Sequence, residues 1–249
     1  MKRARILRPW AVLVWLLVWQ MGAMALDQQI LLVSPIRVLA RLGELSVQAE
    51  FWKAIGFSML RITGGFLLGA AVGTALAAFS ARLRLVEELL APILLAIKSI
   101  PVASFIILSL ILFSSRNLSI LISFLMVLPV LYSGVLGGIR SMDRQMLEMA
   151  QLFRIPTLRR IRYVYLPQVL PYFQAACASA LGLCWKSGIA AEVIGMPTGS
   201  IGERLQQAKV YLDTPDLFAW TLVIVLVSLL FERLFSAFLK QVTHHLERM

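Results

Sequence analysis

Two ionisable side chains, Lys186 and Glu192, stand inside an apolar stretch that runs over residues 169–193. A charge at the centre of a bilayer costs about 2.5–3.5 kcal/mol on insertion scales, so such groups face a cavity or a partner. The two lie six positions apart, about 120° from superposition on a helix. A direct pair therefore requires a break at Gly188. Two roles stay open: Lys186 draws an anion into a transmembrane pathway, or the charges are structural. Other reactive types are sparse. Cys177 and Cys184 are seven apart in the same run and share a helix face. A disulfide within one helix is geometrically excluded there, and both read as packing residues. His244 and His245 are adjacent, so they do not share a face, and no acidic or cysteine cluster stands near them at ligand spacing. No catalytic residue, metal site or cofactor site is expected.

A second group of polar residues has a different character. MLEMAQLFRIPTLRRIRYVYLPQVLPYF, residues 146–173, places arginines and prolines in the middle of an oily chain. Met146, Ala150 and Phe153 fall at helical spacing and predict one apolar stripe. Pro156 predicts the end of that helix, because the residue before a proline is pushed out of the α region. Arg159, Arg160 and Arg162 then mark a second short helix, and Leu166-Pro167 marks the return to apolar sequence. The stretch is too long for a mere turn, since helix connections are usually about 2–8 residues. A short amphipathic helix of this kind lies on anionic lipid or docks in another protein's groove.

The elements that position these residues follow from composition. Hydrophobic residues make up 59% of the 249-residue chain, charged residues 15%, and the mean hydropathy is +0.82. The apolar residues fall in six runs of about 20, the length that crosses a bilayer. They cover residues 10–26, 55–79, 89–113, 118–139, 169–193 and 217–238. Long unalternated runs predict helices rather than a barrel. The fold class is all-α, a polytopic membrane bundle of about six helices. Gly65, Gly69, Gly73 and Ala77 repeat every four residues and predict a flat stripe for close helix packing. Pro92 and Lys98-Ser99-Ile100-Pro101 interrupt the third run, and a break inside lipid persists only where protein or water covers the freed groups. Lys98 is expected to face one of these.

The net charge of +11 suggests nucleic acid less than topology. With the N-terminus inside, inner segments hold roughly three times as many Lys and Arg as outer ones, as the positive-inside rule expects. Residues 140–167 then lie on the cytoplasmic face. The first run also has the layout of a signal peptide, with Ala23-Met24-Ala25 as a small-x-small site. Retaining it gives six helices with both ends inside; cleaving it leaves five with the same orientation.

The loop resembles a motif of the permease subunits of bacterial binding-protein-dependent ABC importers. That motif reads Glu-Ala-Ala, three residues, Gly, nine residues, Ile-x-Leu-Pro. Glu148-Met149-Ala150 stands for its opening triplet and Val164-Tyr165-Leu166-Pro167 for its close, at the same spacing. Met149 departs from the pattern, and Arg154 stands where glycine would permit a tight turn. WKSGIAAEVIGMPTGSIGERL, residues 185–205, resembles the nitrate, sulfonate and taurine branch in its run from Ala190 to Gly195. The resemblance covers about residues 64–238.

The resemblance implies a division into residues 1–53, an N-terminal transmembrane helix with an external amphipathic segment, and residues 54–249, the permease core with its coupling loop. It implies cytoplasmic ABC ATPase subunits as partners, contacted through Glu148, Ala150, Phe153, Arg154, Leu166 and Pro167. It implies a second permease copy, a periplasmic or lipid-anchored substrate-binding protein, and a small, anionic nutrient as cargo. The bacterial inner membrane is the expected location, with lipid as a further contact and no nucleic acid. The chain contains no G-x-x-x-x-G-K-[ST] phosphate loop, so ATP hydrolysis is expected on another subunit. A secondary transporter or channel is the alternative; it would need its own ion site, often in repeated halves, and no repeat is visible.

Overall fold

The computed structural model describes residues 9–26 and 32–247, and among them no strand occurs. Eleven helices follow in order: α1 (Pro9–Leu26), α2 (Pro35–Ser46), α3 (Ala49–Arg82), α4 (Arg84–Ser99), α5 (Val102–Leu112), α6 (Ser115–Arg140), α7 (Arg144–Leu152), α8 (Thr157–Arg160), α9 (Leu166–Gly195), α10 (Ile201–Val210) and α11 (Thr214–Glu247). Four are long and apolar enough to cross a membrane: α3, α6, α11 and the continuous rod of residues Thr157–Gly195. The pair α4–α5 makes a fifth span bent by 107°, and Trp10–Ala25 is a shorter apolar helix. Together they account for the six apolar runs.

The core forms where α3, α6 and α9 press together. The glycine ladder does what its period predicts. A Cβ on Gly65 would stand 2.5 Å from the Ile120 carbonyl, one on Gly69 2.8 Å from Val127 Cβ, and one on Gly73 2.9 Å from the Leu128 carbonyl. Only bare backbone lets α3 approach α6 this closely. Gly188 is likewise needed as glycine, since a Cβ there would meet Ile62 and Ser123 at 2.7 Å. It is a point of contact, not the break that a Lys186–Glu192 pair requires; α9 runs straight through it. Helix α11 closes the core with Trp220, Val223 and Phe231, whose ring lies 6.0 Å from that of Trp185.

Several boundaries differ from the sequence expectation. The interval between the second and third apolar runs shrinks to Leu83 alone, and Arg84, Glu87 and Glu88 already belong to α4. The third run is two helices, because Pro101 has no N–H to continue the ladder; it caps α5 instead, its carbonyl accepting from Ser104 N at 3.0 Å. The polar segment after α9 contains the ordered helix α10. At Leu166-Pro167 the helix is not interrupted. Helix α8 runs through a π turn (Ile161–Tyr165) straight into α9, with Leu166 N bonded to the Ile161 carbonyl. Pro167 cannot donate to Tyr163, and the widened turn accommodates its ring without a break.

Candidate functional site

The sequence-predicted site residues fall at opposite ends of α9. At one end lies the loop, whose ordering starts from Asp143. Its carboxylate caps α7 by accepting from Gln145 N at 2.8 Å, and its own N–H donates to Gln168 Oε1 of α9 at 2.9 Å. Gln168 thereby fixes where α7 starts relative to the long rod. Helix α7 ends as sharply as it begins. Arg154 N donates to the Gln151 carbonyl and Ile155 N to the Ala150 carbonyl, both at 3.0 Å. This is the two-bond Schellman stop, and it requires a left-handed residue between cap and exit. Arg154 supplies it with φ 48°. The turn that glycine would permit is therefore formed with arginine in the glycine's place, and Pro156 follows as the start of α8.

The expected apolar stripe divides between two faces. Ala150 is fully buried, on the helix that packs against the π turn. Phe153 points away and is 71% exposed, beside Leu152 at 80% and Leu158 at 83%. The stripe divides because Phe153 is already the cap residue, where the helical periodicity stops. Glu148 is exposed and, among the described residues, makes no ion pair. Leu166 and Pro167 are exposed on the rod. Arg160 lies over the Tyr165 ring at 5.9 Å and Arg162 over Tyr163 at 5.7 Å.

At the other end of α9, Glu192 is fully buried. Its Oε2 accepts from Ser58 Oγ of α3 at 2.6 Å and from Gly202 N of α10 at 3.3 Å. Ser58 Oγ in turn accepts from Ile201 N at 3.0 Å, and Ser200 Oγ caps Glu203 N at 3.0 Å. Three orphan N–H groups of the first turn of α10 are thus satisfied, with a carboxylate at the positive end of the helix dipole. The packing is as tight as the bonding: a Cβ on Gly202 would stand 2.3 Å from Glu192 Cβ. Lys186 is exposed on another face of α9 and is not brought to Glu192.

Around this clamp, ion pairs tie the neighbouring helices. Arg204 Nη2 donates to Glu50 Oε2 at 2.6 Å, and Arg41 binds both Asp216 and Glu44. The bond to Asp216, then that to Glu44, holds the Arg41 guanidinium above its already high pKa. Arg41, Glu50, Arg204 and Asp216 border a cavity of about 370 Å³. Sequence reasoning missed Ser58 and Gln168, whose partners are remote in sequence. The start of α10 was readable, since Ser200-Ile201-Gly202-Glu203 has the S-x-x-E form of a capping box. Among the described residues no group of His, Cys, Asp and Glu is placed to hold a metal ion. The side chains of His244 and His245 lie outside the described residues.

Known proteins share this fold. A solved structure, described as an amino acid ABC transporter with histidines, superposes with a TM-score of 0.56 at 16% identity, covering 83% of this chain and 96% of that one. It shows the same fold. A protein of Bacillus subtilis (strain 168) named as an aliphatic sulfonates transport permease, SsuC, is 26% identical over 85% of this chain and 77% of its own length. The taurine transport system permease protein TauC of Escherichia coli (strain K12) is 25% identical over 86% and 80%. Residues 65–246 match the family described as the inner membrane component of binding-protein-dependent transport systems. The chain belongs to that family: it is a multi-pass membrane protein and the permease subunit of a binding-protein-dependent ABC importer, similar to permeases named for sulfonate, taurine and nitrate transport.

Proposed function

We propose that this permease carries a small anion of the sulfonate, taurine or nitrate kind, and that α7 is the helix through which ATP drives it. In this reading α7 lies in a groove of a cytoplasmic ATPase subunit, with Glu148, Phe153 and Arg154 at the contact. Ala150, Leu166 and Pro167 hold the contact's shape from behind. A second copy of the chain completes the pathway, and a periplasmic or lipid-anchored binding protein delivers the anion to the face that carries α10. Both termini are cytoplasmic, in the inner membrane of a bacterium. The substrate class rests on the relatives' names; Lys186 is the cation on α9 available to meet the anion.

The observation that carries the coupling role is the outward face of α7. Met146, Met149, Leu152 and the cap residue Phe153 stand exposed on a helix whose two ends are both locked by hydrogen bonds. An ordered helix that shows apolar side chains to its surroundings has the form of a groove ligand. Co-purification tests it. The wild-type chain is expected to bring down an ATPase, and Glu148→Ala with Phe153→Asp is expected to lose it while the permease stays folded. Retained association in that variant, or no ATPase with the wild type, overturns the coupling reading. For the cargo, Lys186→Met is expected to raise the KM for uptake; uptake at wild-type affinity removes Lys186 from the path.

A further inference from the structure

The bent span turns through 107° between Ser99, where α4 ends, and Val102, where α5 begins. Ser99, Ile100 and Pro101 are all exposed at this break. Broken backbone does not persist on a lipid-facing surface; protein must bury it or water must reach it. Lys98 stands on the last turn of α4, directly before the break, and is exposed with it. Its Nζ donates to Ser133 Oγ of α6 at 2.9 Å. Ser133 gives its own hydroxyl proton to the Pro129 carbonyl at 2.7 Å, so it meets Lys98 with a lone pair. The ammonium is thereby held in one place. Among the described residues no carboxylate pairs with it. Ser133 lies about two turns, or about 10 Å, in from Arg140 along α6. The charge therefore sits inside the span and not at its rim. An unpaired charge placed there faces a watery cavity and marks the route of an ion or substrate.

We infer that Lys98 lines the aqueous path on its inner half and selects for negative charge there, meeting the sulfonate or nitrate oxygens of the cargo as they pass the break. The inference rests on the anionic cargo proposed above and adds a second cation to Lys186, on a different helix. Two observations of different kind converge on this point. The exposed backbone break requires water or protein at residues 99–101, and the unpaired ammonium beside it requires a counter-charge. A small oxyanion in a watery path supplies both. An ammonium forms charge-assisted bonds to such oxygens. Ser133 leaves the ammonium its other two protons for this purpose. With one hydroxyl as its companion and no second cation in the cluster, Lys98 binds the anion loosely, as a path must if the cargo is to leave again.

The test uses the full chain, with the subunits that co-purify, reconstituted in liposomes. Ser99→Cys places a reporter thiol at the break; Cys177 and Cys184 are buried, and the wild type gives their background. Two water-soluble probes of opposite charge, sulfonatoethyl and trimethylammonioethyl methanethiosulfonate, are expected to label the reporter. Adding Lys98→Gln is expected to lower the ratio of anionic to cationic labelling rates roughly fivefold. Arg84→Gln, which removes an equal charge from the other end of α4, leaves the ratio unchanged. Uptake of taurine, methanesulfonate and nitrate gives a second reading. For the anion that is carried, Lys98→Gln is expected to lower kcat/KM roughly tenfold and Lys98→Arg to recover most of it. No labelling of Ser99→Cys by either probe, an equal ratio with and without Lys98, or wild-type uptake in Lys98→Gln overturns the proposal. A ratio that depends on Lys98, with none of the three anions taken up by the wild type, overturns the anionic cargo and leaves Lys98 on the path.

Discussion

Two short helices sit at opposite ends of α9 and are held in opposite ways. Helix α7 has nine residues and α10 has ten, and both stop in the same two-bond turn with a non-glycine residue at positive φ, Arg154 in one and Leu212 in the other. Their surroundings differ. Helix α10 buries Ile201, Gly202 and Ala208, and its N-terminus is bonded to α3 and α9 through Ser58 and Glu192. Helix α7 buries Ala150 alone and reaches α9 through Gln168 at its first turn. One helix is part of the core; the other is ordered locally and presented outward. An importer that couples an ATPase on one side to a pathway through the membrane needs both kinds of element.

The difference can be broken first at α10. Glu192→Ala removes the acceptor for Ser58 and Gly202 and opens a hole beneath a helix that has no slack. It is expected to lower stability by about 3 kcal/mol, seen as a fall in Tm in detergent. Ser58→Ala leaves Ile201 N–H without its acceptor and takes one donor from Glu192, and is expected to cost about 2 kcal/mol. Both should slow or abolish uptake through the loss of fold. A Tm unchanged in Glu192→Ala would show that α10 is not clamped.

The same comparison predicts a different signature at α7. Phe153→Ala deletes a ring that stands largely exposed among the described residues, so its stability should stay within about 0.5 kcal/mol of wild type. ATPase association should nevertheless weaken by about tenfold, the scale of a buried aromatic anchor. A fall in Tm without a change in association would place Phe153 with the core residues and erase the distinction between the two helices.

How much of this was legible in the sequence follows from the range of each interaction. The glycine ladder was readable because one helix period carries it. The α7 loop was readable because two helix turns and a proline are local events. Glu192 was singled out correctly as unusual, but its partner Ser58 lies 134 residues away, and no spacing rule reaches that far. The sequence offered Lys186 instead, six residues along, and only the uninterrupted helix removes that pair. Continuity through Pro167 was hidden for a related reason: a π turn leaves no mark in composition, and proline argues locally for a stop.

The smallest effect bears on Arg154. A left-handed conformation costs an L-residue about 1 kcal/mol or more relative to glycine, so Arg154→Gly should raise stability by roughly that amount. Leu212→Gly should do the same at the end of α10, where φ is 57°. The two substitutions make the same backbone change at opposite ends of the bundle, and each serves as the other's control. Relief of strain alone raises Tm in both and leaves ATPase association untouched. If Arg154→Gly also weakens association while Leu212→Gly does not, the guanidinium itself takes part in the contact. The strain at φ 48° is then retained for the sake of the side chain, and the arginine narrows the choice of ATPase without altering the turn.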